Sequence, residues 1–556
     1  MNVLPSSLPE SRTPEKEFTA FDRVFGDFLC RRAGNGEDAL RALGMELVFA
    51  RREGHSFLSL SPEEAALLEK YPCLTDENKG LLVREKDRLY LRREFLNEAA
   101  AARAIARLLK EPPLPLPAGC TDEEIDRICG KKLNCEQHLA VRNALSRFFA
   151  LISGGPGTGK STILAAVAEL ELRRDPRSII RIAAPTGKAA ELLTRDLKSV
   201  LPDRDLTAST LHKLFNIRST GEFGVNGENP LECDLLIVDE CSMVSLSLAA
   251  NMFRGLRPGT RVVLAGDHRQ LESIESGAVL SELLSARKTA PDSPLARAGV
   301  ELTENFRSLN APGIQGLARE IREGTLPPEE LCAHLASGAS PDLEFLHDGS
   351  RFRKEMRAAA RRCWEGLPRT ASDCREEQVK KAFAQLNSFR VLSANRVGAG
   401  GCVELNKMIM EELALPSQYA PGSALMVTRN SPATGLANGD VGIVFAAAGG
   451  GVKVLFENVE RPFAPHELPP HEGAFATTVH KAQGSGFEEV FFLLPGEDSP
   501  LLTRELFYTG LTRAKEKITV AGSRETVTGA LSRSSRRRSG LARRIVDFLK
   551  DEKNGL

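Results

Sequence analysis

The octapeptide Gly154-Gly155-Pro156-Gly157-Thr158-Gly159-Lys160-Ser161 restricts this chain more than any other feature. The pattern G-x-x-x-x-G-K-[ST] works as a phosphate cradle only between a strand and a helix. Both neighbours are legible: Ala150–Ser153 reads as a short buried strand, and a helical pattern follows the lysine. Glycines let backbone N–H groups converge on phosphate oxygens, and the start of the helix adds its positive end. Lys160 would neutralise the β- and γ-phosphates, Ser161 would be the side-chain Mg²⁺ ligand, and Thr162 completes the binding segment.

The chain is far longer, at 556 residues, than the roughly 100–200 expected of one domain. From Phe18 to Lys110 the apolar spacing is helical, as in Ala20–Arg32 and Glu98–Leu109, so residues 1–115 read as a helical N-terminal domain. The run Glu111–Pro117, EPPLPLP, is too proline-rich for a helix and reads as a stiff linker. Beyond it a helix is expected over Cys135–Phe149. Short apolar runs at Ile179–Ala184, Asp234–Val238 and Arg261–Ala265 then alternate with helical patterns, as in a doubly wound parallel sheet over residues 116–305. Residues 306–556 repeat the theme with Phe389–Ser393, Glu489–Leu494 and Lys517–Ala521. Inside this second α/β lobe, Ser423–Thr428, Val441–Ala446 and Val452–Glu457 suggest a small β-rich, barrel-like insertion over residues 415–470.

A second chemical signal lies in Leu235-Leu236-Ile237-Val238-Asp239-Glu240, an apolar strand that delivers two carboxylates to a sheet's C-terminal edge. Asp239 takes the metal role and Glu240 the role of base for an attacking water. With the phosphate loop this implies an ATPase or GTPase, which leaves kinases, transporters and motors open.

Composition narrows less. Lys plus Arg and Asp plus Glu both total 74, so any nucleic-acid surface must come from local clustering. The 11 cysteines lack paired zinc spacing; Cys120, Cys129 and Cys135 come nearest to a cluster but have no fourth member. The N-terminus has early prolines and acids instead of a basic start and apolar run, and no stretch approaches the roughly 20 apolar residues of a membrane span. A cytoplasmic protein with no membrane contact is expected.

The remaining motifs carry a resemblance. Ala184-Pro185-Thr186-Gly187-Lys188-Ala189-Ala190, Asp239-Glu240-Cys241-Ser242-Met243 and Gly266-Asp267-His268-Arg269-Gln270-Leu271 occur in the order found in superfamily-1 helicases. Leu302-Thr303-Glu304-Asn305-Phe306-Arg307, Thr478-Val479-His480-Lys481-Ala482-Gln483-Gly484-Ser485 and Tyr508-Thr509-Gly510-Leu511-Thr512-Arg513-Ala514-Lys515 continue it. Within that superfamily the chain resembles the RecD family, the α subunits of bacterial exodeoxyribonuclease V; Asp87-Arg88-Leu89-Tyr90-Leu91-Arg92-Arg93 looks like part of that family's docking domain.

The resemblance implies two RecA-like P-loop motor domains and an ATP-dependent helicase moving 5′ to 3′ on single-stranded DNA. Gln137 would contact adenine, Gln270 would couple the γ-phosphate to lobe movement, and Arg307 and Arg513 would be arginine fingers. Pro185, Thr186, Thr210, His212, Thr478 and His480 would touch the strand. RecB-like and RecC-like subunits would complete a heterotrimer acting at duplex ends in recombinational repair, and the nuclease would belong to a partner. Two positions depart from the pattern: Glu272 stands where Pro is common, and Gly486 where Glu often follows Gly484-Ser485. A stand-alone DNA or RNA helicase and a non-catalytic ATP-binding regulatory subunit are the competing readings. The basic stretch Ser532–Arg544 reads as a solvated tail or a strand-attracting one.

Overall fold

The computed structural model describes residues 18–550 apart from 35, 77–78, 219–220, 307–310, 348, 368, 370–375, 432, 448–449, 458, 497–498, 500 and 536. Its N-terminal part begins with helix Ala20–Arg32, opened by a capping box in which Thr19 and Asp22 exchange side-chain and backbone hydrogen bonds. Helix Asp38–Arg52 packs against it. The sequence pattern suggests helices alone here, yet Leu58–Ser59, Leu82–Glu85 and Arg88–Leu91 form a small antiparallel sheet. Strands of two to four residues with charged members carry too little period-two signal to be read locally. The Asp87–Arg93 stretch singled out above supplies one of these strands and the start of helix Arg92–Lys110.

The first large sheet is parallel throughout, in the order Ala208–Thr210, Ile180–Ala184, Leu235–Val238, Arg261–Gly266, Phe149–Gly154, Gly299–Leu302. Its central strands are buried on both faces, which is why they read as continuous apolar runs. Parallel register brings the phosphate loop, Thr186, Asp239 and Asp267 to one carboxyl edge. The second sheet, also parallel, runs Leu343–Leu346, Ala514–Ala521, Phe487–Leu493, Phe389–Ser393, Ala476–Thr478. An antiparallel five-stranded sheet interrupts it, in the order Val459–Phe463, Val452–Phe456, Val441–Ala446, Ala424–Val427, His471–Gly473.

Packing crosses the boundaries suggested by the linker. Ala101, Ala102, Ile105 and Leu108 of helix Arg92–Lys110 share one core with Phe149, Leu236 and Val262 of the first sheet. Leu541 and Ile545 of the last described helix, Leu541–Lys550, join that same core, so this helix returns to the first lobe. The basic stretch before it, apart from Arg536, which lies outside the described residues, packs on both lobes and is not a solvated tail. Ser534 Oγ and Ser535 N donate to Glu505 of the second lobe. Arg537 Nη1 donates to the Gly277 carbonyl at 3.0 Å, and Arg538 O accepts from Ser56 N at 2.8 Å. Among the described residues, no helix is long and apolar enough to cross a membrane.

Candidate functional site

The phosphate loop owes its shape to Gly157 and Gly159, at φ of 82° and 86°, in the left-handed region that costs other residues energy. Gly154 has a second constraint, since a Cβ there would sit 2.6 Å from Thr158 Oγ1 and 2.9 Å from Leu302 Cβ. Helix Lys160–Arg174 starts directly behind the loop. Lys160 Nζ donates to the carbonyls of Gly154 at 2.7 Å and Gly155 at 3.1 Å, which holds the ammonium inside the cradle.

One cavity of about 690 Å³ collects most of the expected nucleotide residues. Pro156, Gly157, Gly159, Lys160, Ser161, Thr162, Asp239 and Glu240 line it from the first lobe, and Arg513 from the second. Gln137 does not line it. Its side chain is buried beneath the loop, where Nε2 donates to the Thr158 carbonyl at 3.0 Å and Oε1 accepts from Asn134 N at 3.0 Å. Arg307 lies outside the described residues.

Asp239 is buried, and burial first, then the charge of Glu240, pushes its carboxyl up to about 6 against the opposing pull of Lys160. Glu240 follows at φ 52°, an unusual backbone for a non-glycine residue and one that turns the chain at the strand's end. The Ser161 hydroxyl and the Asp239 carboxylate, which line the same cavity, are oxygen donors of the kind that a hard divalent cation takes.

The lobes meet in a buried polar network. Arg513, 3% exposed, donates from Nε to the Thr509 carbonyl at 3.0 Å, from Nη1 to the Ser485 carbonyl at 2.9 Å and from Nη2 to Gln270 Oε1 at 3.2 Å. Gln270 Nε2 donates in turn to Asp267 Oδ2 at 3.2 Å. Leu271 N donates to Thr509 Oγ1 and Gln483 Nε2 donates to the Leu271 carbonyl, both at 2.9 Å. Asp267, Thr509, Gln483 and Tyr508, whose hydroxyl is held well above its ordinary value by burial and Asp267, were not in the sequence-derived set. Their signal was membership of the quoted motifs, but motif membership does not say which residues meet across a cleft. Phe306 and Lys131, in cation–π contact at 6.0 Å, also face the nucleotide cavity unforeseen.

A second cavity, of about 360 Å³, lies between the lobes. Pro185, Thr186 and His212 line it from the first and His480 from the second, whereas Thr210 and Thr478 do not. Thr210 Oγ1 accepts from Lys213 N and Thr478 Oγ1 from Lys481 N, so both cap turns. Thr186 Oγ1 accepts from Ala189 N while facing the cavity. Burial, then the nearby Arg537 charge, lowers His480 from its ordinary value. Lys188 and Glu457, ion-paired at 2.9 Å, line both cavities and mark where they adjoin. At the two departures, Glu272 approaches Arg537 at 3.1 Å and accepts from Ser281 Oγ at 2.9 Å, and Gly486 lines the nucleotide cavity.

An AAA-domain family profile matches residues 132–339, and a UvrD-like helicase C-terminal domain profile matches residues 473–521. The RecBCD enzyme subunit RecD of Mycobacterium tuberculosis is 35% identical, covering 93% of each chain. The ATP-dependent RecD2 DNA helicase of Deinococcus radiodurans is 29% identical over 89% of this chain and 68% of its own length. Among solved structures, the Pif1 helicase of Candida albicans aligns with 75% of this chain and 99% of its own, at 17% identity and TM-score 0.38.

Proposed function

Because the chain belongs to the RecD family, we propose that it is an ATP-driven DNA helicase motor that works as one subunit of a RecBCD-type assembly. The observation that carries this is the cavity lined by Lys160, Asp239 and Glu240 from one lobe and Arg513 from the other. Identity supports the subunit role, since the chain is 35% identical to a RecD subunit and 29% identical to a RecD2 helicase. RecB-like and RecC-like partners, a duplex end as the loading point, 5′ to 3′ movement and a bacterial cytoplasmic setting belong to the same reading.

In this mechanism the loop amides and Lys160 bind the phosphates of ATP, and Glu240 takes the proton from a water that attacks the γ-phosphorus. A bond forms from the water oxygen to phosphorus, the bond to the β-bridging oxygen breaks, and ADP and phosphate leave. Ser161 and Asp239 would hold Mg²⁺, which supplies charge neutralisation on the phosphates when bound. Arg513 stabilises negative charge that spreads over the γ-oxygens, and Gln270 holds that guanidinium in place. Since Arg513 and Gln270 come from different lobes, loss of the γ-phosphate loosens the closed arrangement and favours an open one. Pro185, Thr186, His212 and His480 would track a strand's backbone with little sequence readout; Gln137 acts on the nucleotide through the loop it supports.

The test is steady-state ATP hydrolysis by the purified chain with and without single-stranded DNA, beside Lys160→Gln. Strong stimulation by DNA and its loss in the variant are expected. Turnover that survives Lys160→Gln removes the site assignment, and stimulation by RNA alone redirects the substrate.

A further inference from the structure

Apart from both cavities, a cleft of about 910 Å³ opens between the start of helix Arg92–Lys110, helix Leu246–Arg254 and the turn-rich segment around Arg218 and Phe223. Arg92, Arg93, Arg218 and Arg254 line it against one carboxylate, Glu222. Neutral acceptors orient Arg254: Nη1 donates to Asn97 Oδ1 and Asn251 Oδ1, and Nη2 to the Leu96 carbonyl, all at 3.3 Å. Burial alone pushes this guanidinium below its ordinary value, the mark of a cation with no carboxylate beside it. Arg93 reaches Ser247 Oγ at 3.5 Å, again a neutral group. The Arg218–Glu222 pair, 3.4 Å apart, is exposed on both sides and neutralises little.

A buried, unpaired donor lies in the wall of the same cleft. Asn97 is 5% exposed, and its Nδ2 has no hydrogen-bond partner among the described residues. Leaving such a donor unpaired is costly. Helix Leu246–Arg254 joins this place to the interlobe cavity. Ser245 and Leu248 line the cavity and Asn251 and Arg254 the cleft, so the two places lie on different sides of one short helix, separated by about 13 Å of axial rise at most.

We infer that the cleft binds the phosphodiester backbone of the nucleic-acid strand that occupies the interlobe cavity, and extends its track onto the N-terminal junction. Guanidinium forks and amide donors recognise phosphate oxygens without reading bases, as a moving strand requires. The inference rests on the motor reading, and the experiment separates the two.

The full chain and its Arg93→Ala/Arg218→Ala double variant are compared in binding oligothymidylates of increasing length across a salt series. Both substituted side chains are exposed and lie outside the nucleotide and interlobe cavities. The variant should match the parent on strands short enough to fill the interlobe cavity alone and bind longer strands more weakly. Its slope of log K against log salt should be shallower by about 1.4, from two contacts at roughly 0.7 each, with DNA-free ATP hydrolysis unchanged. Equal affinity and slope on long strands would overturn the inference and leave the cleft to an acidic protein segment. A parent that binds no strand at any length would overturn the motor reading, and this inference with it.

Discussion

At the scale of single residues, chemistry and placement agree most closely where one side chain has one strong partner. Arg513 is buried with its guanidinium shared between Gln270 and two carbonyls. Arg513→Ala should therefore leave ATP binding near normal and slow strand-stimulated hydrolysis by about 10³-fold or more; unchanged turnover would take it out of the finger role. Glu272 offers a pH signature. Burial pushes its carboxyl up to about 7, against the pull of Arg537 and Ser281, whereas an unfolded chain titrates near ~4.3. The folded state then binds the proton more tightly, so the group costs no stability below about pH 4.3. Its cost grows as pH rises towards 7 and levels off above, reaching at most about 4 kcal/mol. Glu282, also raised to about 7, adds to the same slope. Glu272→Gln should flatten thermal stability against pH between 5 and 7, and melting curves with the parent's slope would assign it elsewhere.

Among elements, the C-terminal strap and helix show what local patterns conceal. Ser532–Arg544 is basic and serine-rich, which by itself describes a solvated segment. It is ordered because acids from elsewhere await it. Arg544 Nε donates to the fully buried Glu98 at 2.8 Å, and its Nη atoms grip Glu85 at 2.9 and 3.0 Å. Arg544→Ala strands a buried carboxylate and should cost about 3–5 kcal/mol, seen as a lower melting temperature. Adding Glu98→Gln should restore part of that loss; no restoration would mean that Arg544 acts through packing on Tyr90 and Phe95 instead. The central strands of the first parallel sheet were legible because burial on two faces leaves near-continuous apolar runs. The N-terminal hairpin was not, because its strands are only four residues long and each includes at least one charged residue.

Across the whole molecule, function depends on how firmly the lobes hold one another. Leu271 N and its carbonyl are both satisfied from the second lobe, by Thr509 Oγ1 and Gln483 Nε2. Thr509→Val keeps the shape but orphans that N–H at a cost of about 1–3 kcal/mol to the closed form. ATP turnover at saturating DNA should fall roughly tenfold with folding stability little changed; undiminished turnover would show that closure does not depend on this contact. The sequence by itself determined the phosphate loop, the carboxylate pair, the parallel sheets and the order of motifs, because each is written in contiguous residues whose spacing is its own geometry. Only the tertiary structure decided that Gln137 props the loop from beneath, that Thr210 and Thr478 cap turns, and that Arg537 meets Glu272. Those outcomes join residues tens to hundreds of positions apart or choose between a backbone and a ligand for one hydroxyl. The packing of separate lobes makes that choice, and no local period records it.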